Sequence, residues 1–272
     1  MPHYIRRLLV LPLLALALGT ANLAHAQARE EYRVLTAAEV LDELRGQRDD
    51  VIPERLMQRA YAVAVIPDVT KVAFVVGGRY GRGVMVVRDA KGRFSNPVFV
   101  SITGGSVGWQ IGAQSTDIVL VFTTRRGVEG LAGGKLTLGA GASVAAGPVG
   151  RQGEAAAGLD AEVFSYSRNR GLFAGVSLDG TAITIDNKAN GVFYKRSGVL
   201  ASEIMGGTVT KDSENVRRLL SAVTASTGES ASQATTGAAP AAPAAPHSPA
   251  PAPASGVRTF PMEDQKPGAE PR

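Results

Sequence analysis

Apolar positions change their spacing twice along the chain. Between residues 27 and 61 they recur at helical intervals. From Ala62 to about Asp186 they fall into short β-rich runs separated by glycines and turns. Helical spacing returns near Val199 and continues to Val223. A period near 3.6 marks an amphipathic helix and a period of two marks a half-buried strand. The pattern therefore predicts an α+β protein: a single β-dominated domain, mostly antiparallel, with a Gly-rich sheet or sandwich and N-terminal and C-terminal helices.

Thr36-Ala-Ala-Glu39 reads as a capping box that starts a helix carrying Ala37, Val40, Leu41 and Leu44, with Gly46 closing it. Pro53 occupies a first helical position for a second helix to Tyr61, whose apolar face holds Leu56, Met57, Ala60 and Tyr61. Val63 to Ile66 reads as a strand stopped by Pro67-Asp68. The cluster Gly77 to Arg82, between β-rich runs at 71–76 and 83–88, reads as a hairpin or bulged pair. Asp89 to Gly92 is a turn. Further strands are expected at 98–102, 107–113, 118–123, 135–146, 155–165, 171–178 and 182–186, with a short helix at 125–132 ended by Gly133-Gly134. One helix near Val199 to Met205, stopped by Gly206-Gly207, and another from Asp212 or Ser213 presenting Val216, Leu219, Leu220 and Val223, close the domain.

The two ends read differently from the body. Residues 1–26 have the form of a secretory signal peptide: a basic start with Arg6 and Arg7, an apolar run from Leu8 to Leu18, and Ala24-His25-Ala26 before Gln27. No cysteine follows that cleavage site, which argues against a lipid-modified N-terminus. Residues 27–224 form the folded domain. Residues 225–272 are rich in Ala, Pro and Ser, cannot bury a core, and are expected to form a disordered tail. The expected location is exported, in a periplasm or associated with an outer envelope.

Composition narrows the chemistry. The chain has no cysteine and three histidines. His3 and His25 fall in the signal and His247 in the tail, so the folded region holds no imidazole or thiol. That removes Ser-His-Asp and Cys-His mechanisms and the common zinc and copper ligand sets. No enzyme activity, catalytic residue, cofactor or metal is expected. Gly134-Lys135 is followed by Leu136, which breaks a phosphate-loop pattern, and Gly139-Ala-Gly141 leads to Val144, which breaks a dinucleotide fingerprint. Asp160 and Glu162 form the one carboxylate pair worth naming, and a solvated strand face explains them. Aromatic residues make up 6% of the chain, too few for the two interface girdles of an outer-membrane barrel.

Lys and Arg number 29 against 24 Asp and Glu, and the excess lies between residues 53 and 198. Basic residues recur in pairs at turns or element ends, which suits contact with phosphate without desolvation. The candidate head-group ligands are Arg55, Arg59, Arg79, Arg82, Arg125, Arg126, Arg168 and Arg170. The expected partner is an anionic phospholipid or membrane surface, with a protein partner as the alternative and no nucleic acid. The segment Leu138 to Gly147 is almost entirely Gly, Ala, Ser and Val. As one strand it would present two smooth faces, against either the domain's own helices or an acyl chain. Trp109 is the one tryptophan and reads as a core anchor or, as the alternative, an interface group.

Four linked stretches resemble a known family. They begin at Gly77 (GGRYGRGVMVVRDAKGRFSNP), Gly104 (GGSVGWQIGAQSTDIVLVF), Leu136 (LTLGAGASVAAGPVGR) and Val163 (VFSYSRNRGLFAGVSLDGTAITID). In this order they look like the SYLF, or Ysc-type actin-binding, domain over roughly Leu35 to Thr208. The resemblance implies binding of phosphoinositides and other acidic phospholipids, with actin filaments bound by some eukaryotic members. It also makes the helix from Pro53 to Tyr61, with Arg55 and Arg59, a membrane-facing candidate. The Src-homology-3 or FYVE modules of eukaryotic members have no counterpart in this sequence, which carries a signal peptide instead.

Overall fold

The computed structural model describes residues 3–46, 52–73, 76–107, 112–149, 161–169 and 172–227; side chains at 3–24, 72–73, 76, 106–107, 112–114 and 132 lie outside that description. Helix α1 (His3–Gly46) and the short α2 (Glu54–Gln58) precede four long strands, β1 (Ala62–Ala73), β2 (Val76–Val87), β3 (Val98–Val107) and β4 (Gly112–Phe122). Helix α3 (Arg125–Ala132) leads to β5 (Lys135–Thr137), β6 (Val144–Ala146), β7 (Val163–Asn169), β8 (Leu172–Gly175) and β9 (Ala182–Ile185). Three helices close the described chain: α4 (Asn187–Phe193), α5 (Ala201–Met205) and α6 (Glu214–Ser226).

The strands form one sheet in the order β5-β9-β3-β2-β1-β4-β7-β6, with β8 also paired to β7. Every ladder is antiparallel except β6 with β7. The sheet curls. Strands lie about 4.8 Å apart, so a flat path would hold β5 and β6 about 34 Å from each other. The chain from Thr137 to Val144 could reach about 25 Å at most if fully extended. It is shorter than that, because Gly141 N donates to the Thr137 carbonyl at 2.7 Å and Gly139 N to the Ala142 carbonyl at 2.8 Å.

Alternation along the strands builds two cores. Val63, Val65, Val84, Val86, Phe99, Val119, Val121, Phe164 and Tyr166 face α1, α2, α4 and α6. Ala62, Ala64, Ile66, Met85, Val98, Val100, Ile102, Ile118, Leu120 and Phe122 face the opposite way, toward α3, α5 and the β5–β9 edge. Because both faces are covered, the central strands read as continuous apolar runs such as Ala62 to Ile66. Among the described side chains of α1 the buried positions are Glu30, Arg33, Val34, Ala37, Ala38, Val40, Leu41 and Leu44, a stripe at three- and four-residue spacing. Helix α6 runs alongside it, with Val216, Leu219 and Val223 buried. The two helices are tied by Arg218 to Asp42 at 3.6 Å and by Glu31, which accepts from Asn215 Nδ2 at 3.0 Å and pairs with Lys211 Nζ at 2.5 Å.

Several expectations are met residue by residue. Helix α3 spans 125–132, with Thr124 as its N-cap accepting from Gly127 N at 3.2 Å. The Asp89–Gly92 turn is closed by Gly92 N on the Asp89 carbonyl at 3.0 Å, with Gly92 at φ 83°. Ser213 caps α6, and α5 ends at Met205 before Gly206.

Others are corrected. Thr36 does not start a helix: α1 runs through it, and its hydroxyl donates back to the Tyr32 carbonyl at 3.0 Å. The tertiary stripe from Glu30 onward outweighs the local capping signal. Pro67-Asp68 does not stop β1. The register of β1 slips by one residue there against both β2 and β4, and Asp68 adopts φ 51°. A bulge absorbs the proline's missing N–H and lets pairing resume at Val69 and Thr70. Of the two expectations for the glycine cluster 77–82, the hairpin fails and the bulged pair holds: the cluster lies inside β2, which pairs with β1 across a bulge and with β3. Gly83 needs its missing side chain there, since a Cβ would fall 2.1 Å from the Val65 carbonyl oxygen. The expected single strand 135–146 is two short strands. Gly139 at φ 86° turns the chain between them, so the two smooth faces do not form. Helix α4 was not legible as a helix; Asp186 caps it, accepting from Ala189 N at 3.0 Å. Trp109, Asp160, Arg170 and the tail from residue 228 lie outside the described residues.

Candidate functional site

The stripe that α1 lays on the sheet changes character at its N-terminal end. Val34, Ala37 and Leu41 give way one turn earlier to Glu30 and Arg33, both buried. A buried charge must be paired. Arg33 Nη2 lies 2.9 Å from Glu30 Oε2, Nη1 lies 3.7 Å from Asp186 Oδ2, and the guanidinium stands over the Phe99 ring at 5.3 Å. Burial pulls the Arg33 ionisation down, and the neighbouring carboxylates push it back. Nη1 finds no acceptor within hydrogen-bonding geometry.

Beside this network is a groove of about 300 Å³ between α1 and the far ends of β1 and β2. Helix α1 contributes Arg29, Tyr32, Arg33 and Thr36. The β1 bulge contributes Pro67, Asp68 and Thr70, and β2 contributes Tyr80, Gly81 and Arg82. Tyr32 is 64% exposed and Tyr80 47%, two of the four large hydrophobic side chains left open among the described residues. Arg82 Nε donates to the Tyr80 hydroxyl at 2.5 Å and its guanidinium lies 5.7 Å from the Tyr80 ring centre. That hydrogen bond pushes the Arg82 ionisation up. Arg29 leans on Glu30 at 3.3 Å but stays largely in solvent.

A second, smaller hollow of about 190 Å³ lies further along α1, lined by Glu43, Asp68, Ser115, Thr116, Asp117, Arg168 and Asn169. Here Arg168 Nη2 is 2.6 Å from Asp117 Oδ2, and Nη1 pairs with Glu43. Asp117 Oδ1 accepts from Asp68 N at 2.9 Å. Asp68 thus borders both hollows.

Of the sequence candidates among the described residues, Arg82 alone reaches the groove. Arg79 sits on the same strand but three residues away, and alternation turns it to the other face. There its Nη1 meets the Ser177 carbonyl at 3.5 Å, and burial lowers its ionisation. Arg125 pairs with Glu129 at 2.7 Å and Arg126 stands 3.8 Å from Glu162, both on α3 across the sheet from α1. Arg168 is engaged in tying β7 to β4 and α1. Arg55 and Arg59 are exposed at α2, whose apolar residues Leu56 and Met57 are buried in the core. Arg29, Tyr32, Arg33 and Tyr80 were missed. The signal available was Arg29 and Arg33 at i and i+4 on a helix, beside a tyrosine.

Among the described residues no group of three His, Cys, Asp or Glu side chains gathers to hold a metal ion. None of their helices is long and apolar enough to cross a membrane.

The architecture defines an α+β domain in which one curled antiparallel sheet is clad by the helices from its own two ends. Residues 103–226 match the family model described as Ysc84, Las17-binding protein actin regulator. Over these residues the chain carries the Ysc84, or SYLF, domain. It is 36% identical over 192 residues to the SH3 domain-containing YSC84-like protein 1 of Xenopus laevis, covering 70% of this chain and 57% of the frog protein. The human protein of the same name is 35% identical over 198 residues, covering 69% of this chain and 57% of its own length. LAS seventeen-binding protein 3 of Saccharomyces cerevisiae is 41% identical over 151 residues, covering 54% of this chain and 33% of the yeast protein. The chain therefore spans between a third and just over half of these relatives. No solved structure matches it. The family match begins within β3, so the groove residues on α1, β1 and β2 lie outside it.

Proposed function

We propose that this domain binds anionic phospholipid at a membrane surface, through the groove between α1 and the β1–β2 ends. The observation that carries the reading is the meeting of Arg29, Arg33 and Arg82 with the exposed rings of Tyr32 and Tyr80 in one hollow. Tyrosine suits the boundary between water and hydrocarbon, with an apolar body and a polar tip. Each basic group near an anionic surface contributes about 1 kcal/mol, and salt screens it. Co-sedimentation of the protein with phosphatidylglycerol vesicles tests it. Binding that exceeds that to phosphatidylcholine vesicles and falls with salt supports the reading; equal binding to both at low salt overturns it.

The protein works outside the cytoplasm in this reading, after cleavage behind Ala26. Among the described side chains of α1, burial begins at Glu30, so such a cut leaves the stripe from Glu30 onward whole. N-terminal sequencing of the protein from an envelope fraction should begin at Gln27.

A second reading, a protein-interaction module, is favoured by the family's description as a Las17-binding actin regulator and by the name of the yeast relative. Co-purification of one stoichiometric protein with no retained lipid supports it over the first.

A further inference from the structure

The groove holds both signs of charge, and the positions are informative. Its cations come from α1 and β2. Its accessible anion is Asp68, on the β1 bulge beside β2. The Asp68 backbone is fixed at φ 51° and its N–H is held by Asp117 Oδ1 at 2.9 Å. Its carboxylate receives only Ser115 Oγ, at 3.4 Å, and no ion pair reaches it among the described residues. A left-handed non-glycine residue is strained, and such strain concentrates where a side chain must be aimed. The Arg33 side chain is 9% exposed, and its Nη1 is fully buried with Asp186 Oδ2 at 3.7 Å, so the accessible cations of the groove are Arg29 and Arg82. The volume of about 300 Å³ is at the small end of ligand clefts, sized for a head group rather than an acyl chain.

We infer that this groove selects phospholipid head groups that carry a primary ammonium beside the phosphate: phosphate oxygens face Arg29 and Arg82, and the ammonium sits on Asp68. This rests on the lipid-binding reading above and adds a chemical preference to it. Simple electrostatic adsorption discriminates only by net charge. A carboxylate in the same groove as two guanidiniums discriminates by the arrangement of charge within the head group. The source is a membrane lipid, because Tyr32 and Tyr80 flank the opening and present rings to whatever lies above it.

The test compares phosphatidylserine with phosphatidylglycerol, each mixed at the same mole fraction into phosphatidylcholine vesicles, so that surface charge is matched. The full chain should bind the serine vesicles about threefold more tightly, within the range of one partly exposed ion pair. In Asp68→Asn that ratio should fall to about one. Asn tolerates the left-handed backbone and keeps the N–H to Asp117, so the fold is preserved; a melting curve checks this. Equal affinity of the unaltered chain for the two vesicles overturns the inference while leaving lipid binding intact. A preference that survives Asp68→Asn also overturns it. Binding to neither vesicle removes both this inference and the reading beneath it.

Discussion

Gly147 sits against the hydroxyl end of the Tyr166 ring, so closely that a Cβ at position 147 would fall 2.0 Å from Tyr166 Cζ. The same hydroxyl donates to the Pro148 carbonyl at 3.0 Å, and burial pushes its ionisation up, keeping the donor in place. Gly147→Ala should destabilise the domain by about 1–3 kcal/mol, the usual penalty for forcing extra volume into a packed core. Tyr166→Phe should cost about 1 kcal/mol, for one hydrogen bond. Thermal unfolding followed by circular dichroism measures both, and a Gly147→Ala melt equal to that of the unaltered chain would contradict the packing.

Arg168 is a structural cation. It joins β7 to Asp117 on β4 and to Glu43 on α1. Arg168→Met should lower stability by about 1–3 kcal/mol, less than a fully buried pair because the side chain keeps some exposure. Urea unfolding gives the loss. Vesicle binding per folded molecule should stay within error of the unaltered chain.

The two faces of the sheet should respond differently to charge removal. Arg29→Ala with Arg82→Ala strips the groove and should weaken binding to anionic vesicles at least tenfold, at about 1 kcal/mol per cation. Arg125→Ala with Arg126→Ala alters α3, across the sheet, and should change binding by less than twofold. The reverse ranking in a co-sedimentation series would move the membrane-facing side to the other face.

Glu31 links stability to pH. Burial raises its ionisation, but hydrogen bonds from Lys211, Asn215 and Ser213 and the Lys211 charge outweigh that and hold it lowered. A carboxylate lowered in the folded state stabilises above its unfolded value and loses that contribution as pH falls through the folded one. The contribution is therefore intact at neutral pH and fades below about pH 4.5. Glu31→Gln should reduce stability at pH 7 and flatten its decline between pH 5 and pH 3, read from denaturant midpoints across that range.

Much of the fold was legible because local and tertiary signals agreed. Val216, Leu219 and Val223 face the core at the spacing that predicts α6, and Thr124 and Gly133-Gly134 bracket α3 where expected. The failures came where tertiary packing overrode a local rule. Pro67-Asp68 looks like a stop, yet pairing on both sides carries β1 through a bulge. Gly77 to Arg82 read equally as a hairpin or a bulged pair, and only tertiary contact decides: the crowding of the next residue, Gly83, against Val65 makes glycine the residue that a paired strand needs there. The site was less legible than the fold. Adjacent arginines such as Arg79 and Arg82 form a pair in sequence but point to opposite faces. Arg29 and Arg82, distant in sequence, are brought together only when α1 docks on β2. No local spacing encodes that meeting.

The pairing of α1 with α6 joins the beginning of the domain to its end. A nascent chain still lacking α6 can lay α1 on the sheet but leaves the flank of α1 that meets Val216, Leu219 and Val223 uncovered, and Glu31 lacks Asn215. Completion of the fold waits on synthesis of nearly the whole domain, and a chain cut short before Glu214 is left with a bare apolar seam, prone to self-association rather than to independent partial function.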